Sequence, residues 1–195
     1  LYTPHTLVKV GRLRAIALGT PVMELTEKGE YKPIFLPEAE SSKMDELEKI
    51  IDSRPGEAFV VYTHSKAFIT TVVARLEARG IKARAFTGDL NYRQKRKAID
   101  ELGDKYQVMI ATQASVGTGT GGLQYKASKL VWLSRDVKIS TNTQARDRLY
   151  RPGQEEAIEQ WEIVATGTND LETNEYLDYG EEVVNDMLNA TRIKK

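Results

Sequence analysis

The chain has no cysteine among its 195 residues. That excludes a disulfide scaffold and any thiolate-bound zinc. Histidine is scarce as well. Only His5 and His64 are available, which argues against a His-rich metal centre, and no metal ligands are predicted. No apolar run approaches the roughly 18 residues of a membrane helix. No charged-then-apolar leader opens the chain, so an intracellular protein without a membrane partner is expected. No Gly-Lys dipeptide occurs anywhere, which removes the phosphate loop of a self-sufficient nucleotide hydrolase. Asp45-Glu46 and Asp100-Glu101 fall on expected helices rather than at the end of an apolar strand. Neither fits a magnesium-holding acid pair. The first residue is Leu1, and on that ground a piece of a larger protein is expected.

What is present is enough for a folded core: 41% hydrophobic and 29% charged residues over a single-domain length. Net charge is zero, but unevenly so. Residues 1–154 hold 25 Lys and Arg against 17 Asp and Glu. Residues 155–190 hold 11 acids and no base, and the last five add three bases. A basic body with an acidic appendage suits a polyanionic partner.

The hydrophobic pattern alternates between two periods. Leu7, Val10, Leu13, Ile16 and Ala17 predict an N-terminal helix, with Gly19-Thr20-Pro21 as its stop. Residues 22–40 read as a polar loop or hairpin. Ser42, with Asp45 three residues on, is expected to cap a helix carrying Met44, Leu47, Ile50 and Ile51. Short apolar runs at 58–62, 82–86, 108–111, 130–133 and 158–164 predict buried strands. Helices are expected at 66–79, from Asn91 to Leu102, at 142–151 and at 171–189. This β-α-β-α-β order predicts an α/β fold, an open, mainly parallel sheet with helices on both faces. Binding sites in such sheets lie beyond the carboxyl ends of the strands.

Three segments fall there. Thr63-His64-Ser65 follows the first strand, where hydroxyls and helix-start N–H groups suit phosphate or simply cap the helix. A glycine-rich run follows 108–111, with glycines at 117, 119, 121 and 122 that would let backbone approach a ligand closely. The third is Gln144 to Gln154. On a continuous helix, Gln144, Asp147, Arg148 and Arg151 would share one face. A guanidinium is a permanent cation that grips phosphate oxygens in a forked geometry.

That third segment matches Q-A-x-D-R-x-x-R-x-G-Q at every specified position, and so resembles the last motif of the Swi/Snf-type branch of superfamily 2 helicases. The order of other pieces agrees: Ser41-Ser42-Lys43-Met44, Phe59–Ser65, Thr87-Gly88-Asp89 with Arg93, Ala111–Ala114, and Gly167-Thr168. Leu13-Arg14 before Pro21 is similar to a helix of the same lobe. The likeness covers about residues 40–170. It implies a RecA-like lobe, of the P-loop NTPase type but without its own phosphate loop, the second of two in a DNA-dependent ATPase.

In that reading residues 1–40 lead into the lobe, 41–170 form it, and 171–195 are an acidic helix with a basic tail. Arg148 and Arg151 would be the arginine fingers and Gln144 would position them. Gly117, Gly119 and Asp147 would lie at the ATP. Thr63, His64, Ser65, Lys66, Gly88, Arg93, Thr112 and Gln113 would hold the DNA backbone, with Lys95 and Arg96 adding charge nearby. ATP and Mg2+ would be used only by the full two-lobed protein. The fragment alone would bind neither tightly and would not hydrolyse ATP. The implied partners are DNA, in duplex form, and the N-terminal lobe of the same chain. The sequence departs from the family where Ser115-Val116-Gly117 begins a longer, glycine-richer loop, and where Asp136-Val137-Lys138-Ile139 replaces Asp-Trp-Asn-Pro. Those departures point to a phage or bacterial member, in bacterial or infected-host cytoplasm rather than a nucleus. The alternatives from the residues are a non-catalytic nucleic-acid or protein interaction module and a complete nucleotide-binding enzyme.

Overall fold

A computed structural model describes residues 4–27, 29, 31–116 and 121–192. The helix α1 (Pro4–Leu18) leads into a hairpin, β1 (Val22–Leu25) and β2 (Tyr31–Ile34). Then come α2 (Ser42–Asp52), β3 (Phe59–Tyr62), α3 (Lys66–Ala78), β4 (Ala83–Phe86), α4 (Tyr92–Glu101) and β5 (Val108–Ala111). Short 3-10 turns at Gln113–Val116 and Leu123–Tyr125 precede β6 (Lys129–Trp132), α5 (Ile139–Arg146), β7 (Glu159–Glu162) and α6 (Asn169–Arg192). Five of the strands form one parallel sheet in the order β4-β5-β3-β6-β7.

Period-two alternation in β3 assigns its side chains to two faces. Phe59 and Val61 pack with Phe68, Ile69, Val72 and Leu76 of α3 and with Met44, Leu47, Ile50 and Ile51 of α2. Val60 and Tyr62 pack with Ala98 and Ile99 of α4 and with Ala145 and Leu149 at the end of α5. A strand buried on both faces has no polar side to alternate with, which is why β3 and β5 read as unbroken apolar runs.

The register ends all five strands level. Tyr62 pairs with Ala111 and Trp132, Phe86 with Ala111, and Trp132 with Glu162. The chain leaving β3 turns to the α3 face, while the chain leaving β6 turns to the α5 face. This reversal between β3 and β6 is the topological switch point at which α/β sheets commonly bind ligands.

Four expectations need correction. The cap of α2 is Ser41, not Ser42: its Oγ accepts from Met44 N–H and donates to Leu18 C=O at 2.6 Å. The core face of α1 is Ala15, Ala17 and Leu18, while Val10, Leu13 and Ile16 are exposed. The end of α1 buries Leu18 with two alanines, the helix packs against α6, and Val10, Leu13 and Ile16 point away. The strand expected over 158–164 is limited to Glu159–Glu162. Finally, α5 starts and stops earlier than 142–151. Its entry turn is fixed by Asn142, whose side chain accepts from Asp136 N–H and donates to Asp136 C=O, both at 2.8 Å. It stops at Arg146, and a turn through residues 147–150 carries Leu149 into the core before Pro152.

Candidate nucleotide and nucleic-acid interface

The level strand ends place Thr63-His64, Thr87-Gly88, Thr112-Gln113 and Leu133-Ser134 along one edge. Their polar groups close on a single residue that the sequence did not suggest. Ser134 Oγ lies 3.3 Å from Thr63 Oγ1, accepts from His64 backbone N–H at 3.0 Å, and is 2.7 Å from His64 Nδ1. The Ser134 carbonyl accepts from Gln113 Nε2 at 2.6 Å. Thr63 and Gln113 are buried at 0% and 1% exposure. Expected as DNA contacts, they are buried and tie the turns together through Ser134, although Gln113 Oε1 is buried with no hydrogen-bond partner among the described residues.

Next to this network sits a buried lysine. Lys43, at the start of α2, donates to Leu133 C=O and pairs with Asp170 at the start of α6. Burial lowers its pKa, and Asp170 opposes that shift. Arg14 of α1 donates to Arg135 C=O. Burial first, then Arg14 and Lys43, press the His64 imidazolium down to a pKa of about 3, so the ring is neutral at ordinary pH.

The outer rim holds the remaining predicted DNA residues. Ser65 caps α3 by accepting from Phe68 N–H at 3.3 Å. Lys66 pairs with Asp89 at 2.5 Å across the rim, and that contact with Thr87 holds the Asp89 carboxyl below its usual range. Arg93 is exposed in the first turn of α4, whose Asn91–Gln94 capping box the sequence anticipates. Thr112 is half-buried. Lys95 is drawn inward to Ser115 C=O at 2.9 Å and over Phe86. Arg96 pairs with Asp100 on its own helix. A Cβ on Gly88 would meet nothing within 4 Å and its φ is not positive. Neither packing nor turn geometry inside the lobe demands glycine there.

The arginine segment is a turn rather than a helix face. Gln144 and Asp147 are exposed; Arg148 and Arg151 are half-buried. Arg151 Nε donates to Asp147 C=O at 3.1 Å. Burial lowers the pKa of Arg148, and neighbouring Arg151 adds to that. Gly153 closes the turn at φ +93°, and a Cβ there would sit 2.6 Å from the Tyr125 ring. Gln154 Nε2 donates to Ala127 C=O at 3.0 Å, which ties the turn to the loop before β6. From the other side α6 braces α5. Arg135 pairs with Asp178 and Glu181, and Arg146 Nη1 lies 3.5 Å from Glu181. Gly117 and Gly119, expected at the nucleotide, lie outside the described residues. Among the described residues no cluster of three or more His, Asp or Glu could hold a metal ion.

The parallel sheet gathers polar turns and cations at the carboxyl ends of its strands, the arrangement of an α/β lobe. Its relatives are specific. Residues 42–153 match the helicase conserved C-terminal domain, and the chain belongs to that family. It is 24% identical over 143 residues to the mouse (Mus musculus) DNA repair and recombination protein RAD54B, covering 71% of this chain and 16% of that protein. It is 29% identical over 128 residues to the bovine (Bos taurus) DNA excision repair protein ERCC-6-like, covering 64% and 10%. Over 74 residues it is 31% identical to the ATP-dependent RNA helicase DeaD of Mycobacterium tuberculosis, covering 37% and 13%. The chain thus spans less than a fifth of each of these relatives. The crystal structure of the C-terminal part of the Fun30 ATPase domain superposes with a TM-score of 0.64 at 17% identity, over 70% of this chain and 45% of that one. The chain therefore carries a helicase conserved C-terminal domain, with a fold shared by the C-terminal part of the Fun30 ATPase domain and sequence similarity to RAD54B and ERCC-6-like.

Proposed function

We propose that this lobe is the second half of an ATP-driven DNA translocase. Bound between this lobe and a first one, ATP with Mg2+ would supply the phosphoryl transfer that drives the cycle. This chain fits only the cationic side of that site, because it has no Gly-Lys phosphate loop and no strand-borne acid pair. Alone it would not turn over ATP.

Arg148 and Arg151 act as arginine fingers, offering permanent positive charge to a phosphoryl group in transfer. Gln144 and Asp147 flank them on the exposed side. The carrying observation is the turn from Asp147 to Gln154, braced by Gly153 on Tyr125 and by Gln154 on Ala127, which fixes where the two guanidinium stems start. On the other rim, Lys66, Arg93, Ser65, Thr112 and Gly88 contact the phosphates of a DNA duplex. Gly88 supports this: with no internal reason for glycine, close approach of a backbone from outside supplies one. His64 stands between the two rims and gives the backbone a further contact, while Thr63 and Gln113 hold the turns.

The test is turnover in the two-lobed protein. Arg148→Ala or Arg151→Ala should reduce DNA-stimulated hydrolysis by about 10³-fold or more with the circular dichroism unchanged. Full turnover in both variants removes the finger assignment. Magnesium-dependent hydrolysis by this lobe alone removes the half-motor reading.

A further inference from the structure

Ser134 is not part of any motif in the sequence, yet it joins three strand ends. The protons in its cluster follow from counting donors and acceptors. The backbone N–H of His64 can only donate, so Ser134 Oγ accepts there at 3.0 Å. Thr63 Oγ1 accepts from the backbone N–H of Ser65 at 3.3 Å. Two arrangements remain for the contacts among Thr63, Ser134 and His64 Nδ1.

In the first, Thr63 donates to Ser134 and Ser134 donates to Nδ1. Every hydroxyl proton then has an acceptor, and Ser134 Oγ accepts twice. In the second, a protonated Nδ1 donates to Ser134, and Ser134 must donate to Thr63 Oγ1. Thr63 then accepts twice and its own proton has no acceptor in this cluster, inside a side chain with 0% exposure. A buried unmade hydrogen bond is costly, so the first arrangement wins.

We infer that Ser134 is a positioning residue: it donates to His64 Nδ1, locks the ring as the Nε2–H tautomer, and so turns His64 into a neutral hydrogen-bond donor for an anionic oxygen of a nucleic-acid backbone. The tautomer stands on the geometry alone; the ligand rests on the proposed function. The neighbours of the ring act in the same sense. Burial disfavours the imidazolium, and Arg14 from α1 and Lys43 from α2 repel it. A neutral donor also has a distinct signature. It adds affinity without releasing counterions, whereas a cation on a phosphate steepens the salt dependence.

The test labels both histidine rings with 15N in the whole chain and assigns His64 with a His64→Gln variant. The wild type should show a protonated Nε2 and a bare Nδ1, unchanged down to pH 5. Ser134→Ala should show both tautomers while the ring stays neutral, since burial, Arg14 and Lys43 remain. Ser134→Thr, which keeps the hydroxyl, should restore the wild-type pattern. A protonated Nδ1 in the wild type, or a Ser134→Ala spectrum identical to it, overturns the inference. Should Ser134→Ala not fold, the wild-type and Ser134→Thr spectra still decide it.

A second arm measures duplex DNA binding by fluorescence anisotropy at several salt concentrations. His64→Ala and Ser134→Ala should each weaken binding about three- to tenfold, with the slope of log affinity against log salt unchanged. A locked tautomer with no effect of His64→Ala on DNA affinity overturns the ligand and leaves the proton assignment standing. A slope lowered by His64→Ala shows a charged contact and overturns the neutral-donor role.

Discussion

Ser134 and the turn from Asp147 to Gln154 both follow β6, yet the strand edge gathered on Ser134 and the turn are built by different rules. At the edge, side chains bond to one another. Thr63, His64 and Gln113 converge on Ser134, and Lys43 sits between Leu133 C=O and Asp170. In the turn, side chains bond to backbone instead, Arg151 to Asp147 C=O and Gln154 to Ala127 C=O, Gly153 sits against Tyr125, and Gln144 and Asp147 stay in solvent. Groups withdrawn from water have to pair, and exposed ones do not. The edge is largely paired within the lobe itself, Gln113 Oε1 excepted. The turn presents side chains whose chemistry depends on what faces them. Stability should therefore depend on the first region and turnover on the second.

The largest effects separate the two most clearly. Lys43→Ala leaves Asp170 buried without its cation, and such losses run to about 3–5 kcal/mol. Urea unfolding should show that drop. The double replacement Lys43→Met with Asp170→Leu should recover most of it, since a buried ion pair is often no more stabilising than an apolar pair of similar volume. Arg151→Ala, by contrast, should change stability by no more than about 0.5 kcal/mol. Equal losses from Lys43→Ala and Arg151→Ala would break the division.

Gly153→Ala falls between. Its Cβ would meet the Tyr125 ring at 2.6 Å and hold alanine at φ +93°, a conformation with its own strain. Together these should cost about 1–3 kcal/mol. Tyr125→Ala added to it should relieve the contact and not the φ strain, so the double variant should recover only part. Full recovery would show that backbone conformation contributes nothing at this position.

This contrast also explains which parts of the molecule were legible in the sequence. Val108–Ala111 was located to the residue, because a strand buried on both faces is an uninterrupted apolar run. The Asn91–Gln94 capping box was legible for a similar reason, being a local exchange of hydrogen bonds. The helix α1 was found, but of its expected face only Ala17 is buried among the described side chains. Spacing of large apolar residues pointed to Val10, Leu13 and Ile16, while close packing selected Ala15, Ala17 and Leu18. The arginine motif was legible as a string, yet not as a turn, since the periodicity that buries Ala145 and Leu149 together fits a continuing helix equally well. Ser134 gave no signal at all. A serine after a strand has no periodicity, and its importance comes from residues 63, 64 and 113, which only the sheet register brings to it.

A pH dependence should mark the edge and not the turn. The folded chain holds His64 at a pKa of about 3, against an ordinary value of 6.5. Below pH 6.5 the unfolded chain binds a proton that the folded chain refuses. Stability from this group is therefore complete above about pH 6.5 and falls as pH drops toward 3. Thermal melts of the wild type and His64→Gln should diverge in that window, with the wild type losing more on acidification. Parallel curves would mean the ring is free to protonate in the folded state.

The smallest effect concerns the brace between the regions. Glu181 of α6 meets Arg146 of α5 at 3.5 Å, and both side chains are partly in solvent, at 22% and 37% exposure. Exposed pairs of this kind contribute only about 0–1 kcal/mol. The same carboxylate also pairs with buried Arg135 at 2.6 Å, so Glu181→Ala alone would remove two contacts at once. A double-mutant cycle on Arg146 and Glu181 isolates the weaker one, and its coupling should fall below about 1 kcal/mol. In the two-lobed protein Arg146→Ala should leave hydrolysis within about twofold, because the brace adds little and Gly180 of α6 remains seated against Ile139 of α5. A loss comparable to that of Arg148→Ala would show that α6 positions the arginine turn, and would move the acidic helix from the scaffold into the working part of the lobe.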